Sequence, residues 1–372
     1  MKITFLIQDL CRQGAQYATA LMVRGFVAAG WDVDLIVSQW HKKLLDKGVV
    51  PFEVPGSTNV IYLPSERARN NIWALRKYLW RTESVAVVAM SSNYTRALRI
   101  AALFMGRRPK IVHVEHGLAG MSYGRMLDVP SPCSWKGLKC RLLYGGFDYV
   151  LTVSTKGKSD FLRYFPFYPA GRVSVVYNPV IDRVFFDKCQ KDPCHEWLRN
   201  KCCPTFVSAG AYQEYKGHFD LLEAIRAIKG KRRFRIIVYG TGPLKAQYEK
   251  YIEDNGLNDL IDFAGYTNNF PAEARASDGF VLPSRRESFG IALVEALACG
   301  CPVVAADAPY GPREILKDGE YGRLVEVRNP QSLSEGLLDL IDGRIQRPPK
   351  CAWNRFSMEA AVERYMRGME IE

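Results

Sequence analysis

Two carboxylates, Glu287 and Glu295, stand eight residues apart in a run that begins Pro283-Ser284-Arg285-Arg286-Glu287-Ser288-Phe289-Gly290-Ile291. The glycine and the apolar residues after it predict a helix opening near Phe289 and Gly290, so Glu287 lies just before its start. Glu295 falls about two turns further on at about 3.6 residues per turn, which lets both acids face one crevice. The free N–H groups at such a helix start attract a phosphate. Acids beside a phosphate-attracting helix end suit a phosphorylated ligand whose hydroxyls can be gripped. An ordinary surface helix with solvated glutamates would leave the turn residues Pro283-Ser284 and Gly300-Cys301-Pro302 unexplained.

That arrangement needs a strand before the helix and another after it, and the whole chain is built from such units. Short apolar runs at 2–8, 32–37, 60–63, 85–90, 110–115, 149–153 and 173–177 are separated by segments long enough for crossover helices. A second series follows at 205–209, 234–239, 260–264, 279–282, 302–306 and 322–327. Continuous apolar runs of this kind are how strands buried on both faces of a parallel sheet read. At 372 residues the chain exceeds what one core usually supports. The expected fold class is therefore α/β, with two doubly wound Rossmann-like domains facing each other across a cleft that binds ligands outside the carboxyl ends of the strands. The polar, cysteine-rich stretch 182–203 reads as the linker.

With its flanks, the acidic run resembles the signature of the retaining glycosyltransferases of family 4, whose fold is the two-domain GT-B. The signature is a glutamate, seven residues and a second glutamate, matched by Glu287 and Glu295, with Phe289-Gly290 inside and Gly300-Cys301-Pro302-Val303-Val304 after. The resemblance implies an N-terminal acceptor-binding domain at 1–181, a C-terminal nucleotide-sugar-binding domain at 182–350, and a C-terminal helix within 351–372 that crosses back to the first. It implies that Glu295 holds the donor's ribose hydroxyls and that Glu287 accepts hydrogen bonds from the donor sugar. The amides of Phe289, Gly290 and Ile291 then face the diphosphate.

Other segments resemble further family motifs. Gly210-Ala211-Tyr212-Gln213-Glu214-Tyr215-Lys216-Gly217 is similar to a segment whose arginine and lysine clamp the donor diphosphate; Lys216 matches, and Ala211 stands where the arginine would be. One charge-assisted contact worth roughly 1.5–3 kcal/mol is thereby missing or comes from elsewhere, with Arg285 and Arg286 as candidates. Gln13-Gly14-Ala15-Gln16 keeps one glycine, Gly14, of the family's phosphate-approaching loop, which implies a donor-binding role; a tight turn at a helix start is the alternative. His116, in Glu115-His116-Gly117, resembles a strand-end histidine lining the donor-sugar pocket, although such a histidine can simply be a satisfied buried residue. Tyr266 falls in Ala264-Gly265-Tyr266-Thr267, which resembles the family's loop beside the nucleobase. Val176-Tyr177-Asn178-Pro179-Val180 resembles the motif that closes the first domain. Tyr239-Gly240-Thr241-Gly242 lacks the third glycine of a nicotinamide fingerprint.

The activity implied is that of a retaining hexosyltransferase for a bacterial-type envelope glycan, using a nucleoside diphosphate hexose, with UDP favoured, and a lipid-linked or envelope glycan acceptor. No Asp-x-Asp pair points to a bound metal, and no cofactor is expected beyond the sugar nucleotide itself. A nucleotide-sugar epimerase and a catalytically silent sugar-nucleotide-binding protein remain as alternatives, the second because of Ala211.

Charge adds a partner. The net formal charge is +12, and residues 1–180 carry 24 Lys and Arg against 11 Asp and Glu, while the remainder is nearly neutral. The excess gathers in Arg67 to Arg81, in Arg107-Arg108-Pro109-Lys110 and in Ser134 to Tyr144, interleaved with Trp73, Trp80 and Trp135. Basic helices with aromatic faces suit an anionic membrane surface, where each cation adds up to about 1 kcal/mol. Alternatively, Trp73 and Trp80 pack onto the sheet. No nucleic-acid motif is present. No run approaches eighteen apolar residues, and the N-terminus reads as a first strand, so a cytoplasmic protein, peripheral on the inner face of the plasma membrane, is expected. The ten cysteines are then expected to be reduced thiols. The Cys189, Cys194, His195, Cys202 and Cys203 cluster has no chelating Cys-x-x-Cys spacing for zinc.

Overall fold

The computed structural model describes residues 1–11, 14–117 and 135–371, without the side chains at 136, 137, 139, 140 and 143. Gln13 and Ser134, named in motifs above, lie outside the described residues. The chain divides into two compact units, Met1–Val180 with Phe356–Glu372, and Ile181–Arg355.

In the first unit, β1 (Lys2–Leu6), β2 (Asp32–Val37), β3 (Asn59–Tyr62), β4 (Ala86–Ala89), β5 (Lys110–Glu115), β6 (Tyr149–Thr152) and β7 (Val173–Val175) form one parallel sheet in the order β3-β2-β1-β4-β5-β6-β7. The central strands are buried along almost their whole length, because helices cover both faces. β7 stops two residues before the expected end; Asn178-Pro179 follows, and a proline cannot donate to a ladder. The order reverses between β1 and β4. That switch point is where a doubly wound sheet opens a crevice.

The C-terminal helix Met358–Gly368 is part of this unit. It lies so close to the helix Gly14–Ala28 that a Cβ on Gly25 would come within 2.6 Å of Val362 Cγ2. Lys110 Nζ donates to the Met369 and Glu370 carbonyls at 3.0 and 2.8 Å, and Tyr149 donates to the Glu370 carboxylate at 2.6 Å. These contacts hold the C-terminal segment at the amino ends of β5 and β6.

The second unit's sheet has β8 (Thr205–Ala209), β9 (Arg235–Tyr239), β10 (Ile261–Gly265), β11 (Gly279–Leu282), β12 (Val303–Ala306) and β13 (Arg323–Val325), all parallel, in the order β10-β9-β8-β11-β12-β13. Its switch point lies between β8 and β11. One face packs against the helices His218–Ile228 and Pro330–Ile341, and beside them Tyr212, His218, Tyr248 and Phe263 meet mostly edge to face.

The stretch expected as a linker is folded into this unit. Phe185, Cys189 and Leu198 are buried, and the buried Glu273 accepts hydrogen bonds from the Cys194 amide and the Tyr239 hydroxyl. Apolar residues thinly spread among polar ones hid that role in the sequence.

Candidate active site

Two loops that leave the strands at the second unit's switch point are tied together by backbone. The carbonyl of Tyr215, in the loop after β8, accepts from the amides of Arg285 at 2.9 Å and Arg286 at 3.2 Å, in the loop after β11. Gly217 then presses on Pro283: a Cβ there would stand 2.0 Å from the Pro283 carbonyl oxygen, and its φ of +70° is a left-handed value that favours glycine. The lysine motif and the acidic signature, about 70 residues apart in sequence, thus share one site.

Their side chains meet. Lys216 Nζ lies 2.5 Å from Glu287 Oε2, with both side chains mostly shielded from solvent, and Ser284 Oγ donates to the same oxygen at 3.3 Å. A third loop, after β12, closes against the second: Glu287 bridges to Tyr310, and a Cβ on Gly311 would lie 1.6 Å from the Phe289 carbonyl oxygen. Tyr310 takes φ +84°, an uncommon value for a bulky residue. Gly290, at φ +114°, turns the chain into the helix Ile291–Ala298, and its carbonyl receives the Leu293 and Val294 amides. The amides ahead of Leu293 have no partner within the helix and mark its positive end.

Glu295 lies one to two turns along that helix. Burial pushes its carboxyl up to about 7, partly offset by the Lys188 ammonium. It makes no hydrogen bond among the described residues, so its oxygens are available to hydroxyl donors. Lys188 comes from the stretch taken as linker, which is why sequence reasoning missed it.

Arg285 is already engaged. Its guanidinium grips Asp220 through two hydrogen bonds of 2.8 and 2.7 Å and reaches Glu214 at 3.3 Å. Arg286 lies over the Tyr215 ring, 5.8 Å from its centre. Ala211 sits in a turn whose neighbours are fixed by backbone: Tyr212 N donates to Thr241 O at 2.8 Å, and a Cβ on Gly240 would meet the Gly210 carbonyl oxygen at 1.9 Å. The two glycines of Gly240-Thr241-Gly242 therefore serve close packing of loops. Tyr266, just past β10, is half exposed.

In the first unit, Gly14 opens the first crossover helix after β1, and His116 follows the end of β5. Both His116 ring nitrogens are buried without a hydrogen-bond partner among the described residues, although Asn178 stands near. Burial drives its pKa down to about 4, with Glu115 opposing, so the ring is neutral at pH 7 and can accept a hydrogen bond. Behind it, Glu115 accepts from the Gly117 amide at 3.0 Å and lies 3.4 Å from His113 Nε2. Asp32-Val33-Asp34, an Asp-x-Asp in form, starts β2 at its amino end, where Asp34 is engaged by Lys2, Tyr78 and Asn59. Among the described residues no group of three His, Cys, Asp or Glu side chains is placed to hold a metal ion.

Residues 12–183 match the family model described as Glycosyltransferase Family 4, and residues 196–353 match the one described as Glycosyl transferases group 1. Together the two matches take in most of the chain and mark it as a glycosyltransferase of the family 4 type. Among curated proteins, it is 29% identical over 201 residues to the N-acetylgalactosamine-N,N'-diacetylbacillosaminyl-diphospho-undecaprenol 4-alpha-N-acetylgalactosaminyltransferase of Campylobacter jejuni, covering 54% of this chain and 53% of that protein. It is 27% identical over 169 residues to the lipopolysaccharide core biosynthesis glycosyltransferase LpsE of Rhizobium meliloti, covering 44% and 48%. The chain thus spans about half the length of these curated relatives. The fold matches that of Anabaena HepE crystallised with UDP and glucose, at 21% identity and a TM-score of 0.73 over 100% of this chain and 99% of that one. It also matches the lipopolysaccharide outer core galactosyltransferase WaaB, at 16% identity and a TM-score of 0.71 over 100% and 99%. These likenesses establish a GT-B fold.

Proposed function

We propose that this chain transfers a hexose, with retention of anomeric configuration, from a UDP-sugar to a lipid-linked or cell-envelope glycan on the inner face of the plasma membrane. The observation that carries the reading is the Lys216–Glu287 pair, held beside the positive end of the helix Ile291–Ala298 at the switch point between β8 and β11. Breaking a glycosyl–phosphate bond throws negative charge onto the departing diphosphate, and preorganised positive potential there lowers the barrier. Lys216 and the amides around Gly290 supply it, and Gly14, at the start of the helix Gly14–Ala28, is a further candidate to approach a phosphate. Glu287 accepts from the donor sugar's hydroxyls and favours its oxocarbenium character. Glu295 grips the ribose diol, Tyr266 stacks beside the base, and neutral His116 accepts from the sugar.

With the charge met by a lysine and helix amides, the reading needs no metal ion, and turnover should survive a chelator. UDP in the HepE complex and the glycan-building names of the relatives support donor and acceptor class. Arg285, held by Asp220, and Arg286, over the Tyr215 ring, both stay candidates to replace the arginine lost at Ala211.

The test is donor turnover. Among uridine and guanosine diphosphate sugars, a UDP-hexose should raise the melting temperature and slowly release UDP, and Lys216→Ala should slow the release by about 10²-fold or more. Binding without release would make the chain a silent sugar-nucleotide-binding protein, the reading that Ala211 favours. An isomerised donor would make it an epimerase.

A further inference from the structure

Three neighbouring elements of the first unit expose large apolar side chains among cations. On the helix Ile72–Arg81, Leu75 and Leu79 point into the core, while Trp73 and Trp80, seven residues apart, are 80% and 72% exposed on the opposite side with Lys77 between them. The sheet-packing alternative for these tryptophans is thereby excluded. Arg76, on the same helix, donates from Nη1 to the carbonyls of Ala101 at 2.9 Å and Leu103 at 2.8 Å. Those bonds fasten to the helix a turn whose tip, Phe104, is 99% exposed at φ +60°. The helix Ser92–Ala101 runs into that turn and packs against both the first helix and a third, Trp135–Tyr144. The third presents Trp135, Leu138 and Leu142, spaced three and seven residues apart, all more than half exposed.

Six apolar side chains on one scaffold exceed the scattered exposure of an ordinary surface. The charge around them is predominantly positive, with the exposed Glu83 the acid nearest in sequence to Trp80. Lys77, Arg81, Arg107 and Arg141 are exposed, and the sequence has no Asp or Glu from 67 to 82, from 84 to 114 or from 129 to 147. A second copy of this chain would bring like charges together. An anionic bilayer meets both demands: its headgroups pair with the cations, and tryptophan rings prefer the boundary between headgroups and acyl chains.

We propose that the face built from Trp73, Trp80, Phe104, Trp135, Leu138 and Leu142 is a docking surface for an anionic phospholipid bilayer, with Arg76 as the strut that holds the Phe104 turn in place. The surface does not depend on the transfer reading.

The experiment uses the full chain with vesicles of phosphatidylcholine alone or with one third phosphatidylglycerol. The parent should sediment with the anionic vesicles and at least tenfold less with the neutral ones, and brominated acyl chains in the anionic vesicles should quench its tryptophan fluorescence. A Trp73→Ser, Trp80→Ser double variant and a Phe104→Ser, Trp135→Ser double variant should each lose at least tenfold in partitioning while keeping the parent's melting temperature, because the replaced side chains are exposed. Variants that sediment as well as the parent, or a parent that binds neither vesicle, would overturn the proposal. So would a parent dimer that these substitutions convert to monomer, since a second copy would then own the face. Release of UDP in vesicle-free solution is read separately, so a chain that docks without turnover sinks the transfer reading alone.

Discussion

Lys216 and Glu287 neutralise each other in the free protein, at 2.5 Å and largely out of water. On the proposed reading, a diphosphate arriving at the helix start would compete for the lysine and leave Glu287 to the sugar. Replacing Lys216 by methionine keeps the stem and removes the charge. It is expected to lower kcat by about 10²–10³, the usual cost of one preorganised donor to a developing anion, with little change in melting temperature. Initial rates of UDP release under saturating donor check this.

Glu295 makes a second prediction, with two signs. Its folded pKa of about 7 exceeds the carboxylate's ordinary value, so the native state holds a proton that the unfolded chain gives up. That contribution to stability is full below the unfolded pKa and is lost as pH rises toward 7. Glu295→Gln should therefore raise the melting temperature at pH 8 relative to the parent more than it does at pH 5. Donor binding runs the other way: the ionised carboxylate is the better acceptor for ribose hydroxyls, so parent affinity should rise between pH 6 and pH 8. Titration calorimetry on the glutamine variant should show that slope gone.

At the scale of elements, the site is a set of loops clamped by close backbone approach. Gly217 combines a φ of +70° with a would-be Cβ contact of 2.0 Å to rigid backbone, so Gly217→Ala must push the lysine loop off the acidic loop. A strained left-handed backbone alone costs about 1–3 kcal/mol. The expected result is a denaturant midpoint lowered accordingly, together with weaker donor binding. Gly30→Ala is the control: it has a similar φ of +81° and open space around it, so it should cost stability and leave donor binding intact. The strands were readable because burial on both faces makes each a continuous apolar run, as in Ala86–Ala89. The Asp220 partner of Arg285 was not, because 65 residues separate the two and no local pattern announces the pair.

At the scale of the whole molecule, the chain leaves the first unit at Val180 and returns to it at Phe356. Residues 181–355 carry a complete sheet and core, so that fragment should unfold cooperatively and still bind UDP. Residues 1–180 alone lack the helix whose Val362 fits against Gly25, and are expected to lose cooperative unfolding. Adding 356–372 through a flexible linker should restore it, as read by near-ultraviolet circular dichroism. Among the described residues no helix is long and apolar enough to cross a membrane, so any bilayer contact is made by surface side chains.

From its sequence alone, the protein's parallel sheets, its acidic signature, its lysine motif and the basic cast of its first half could be settled, because each is written in local spacing or composition. Tertiary structure alone decided that Arg285 pairs with Asp220, that the cysteine-rich stretch belongs to the second core, and that Trp73 and Trp80 face outward. Those outcomes depend on which distant side chain reaches a given atom first, and periodicity along one chain carries no record of that.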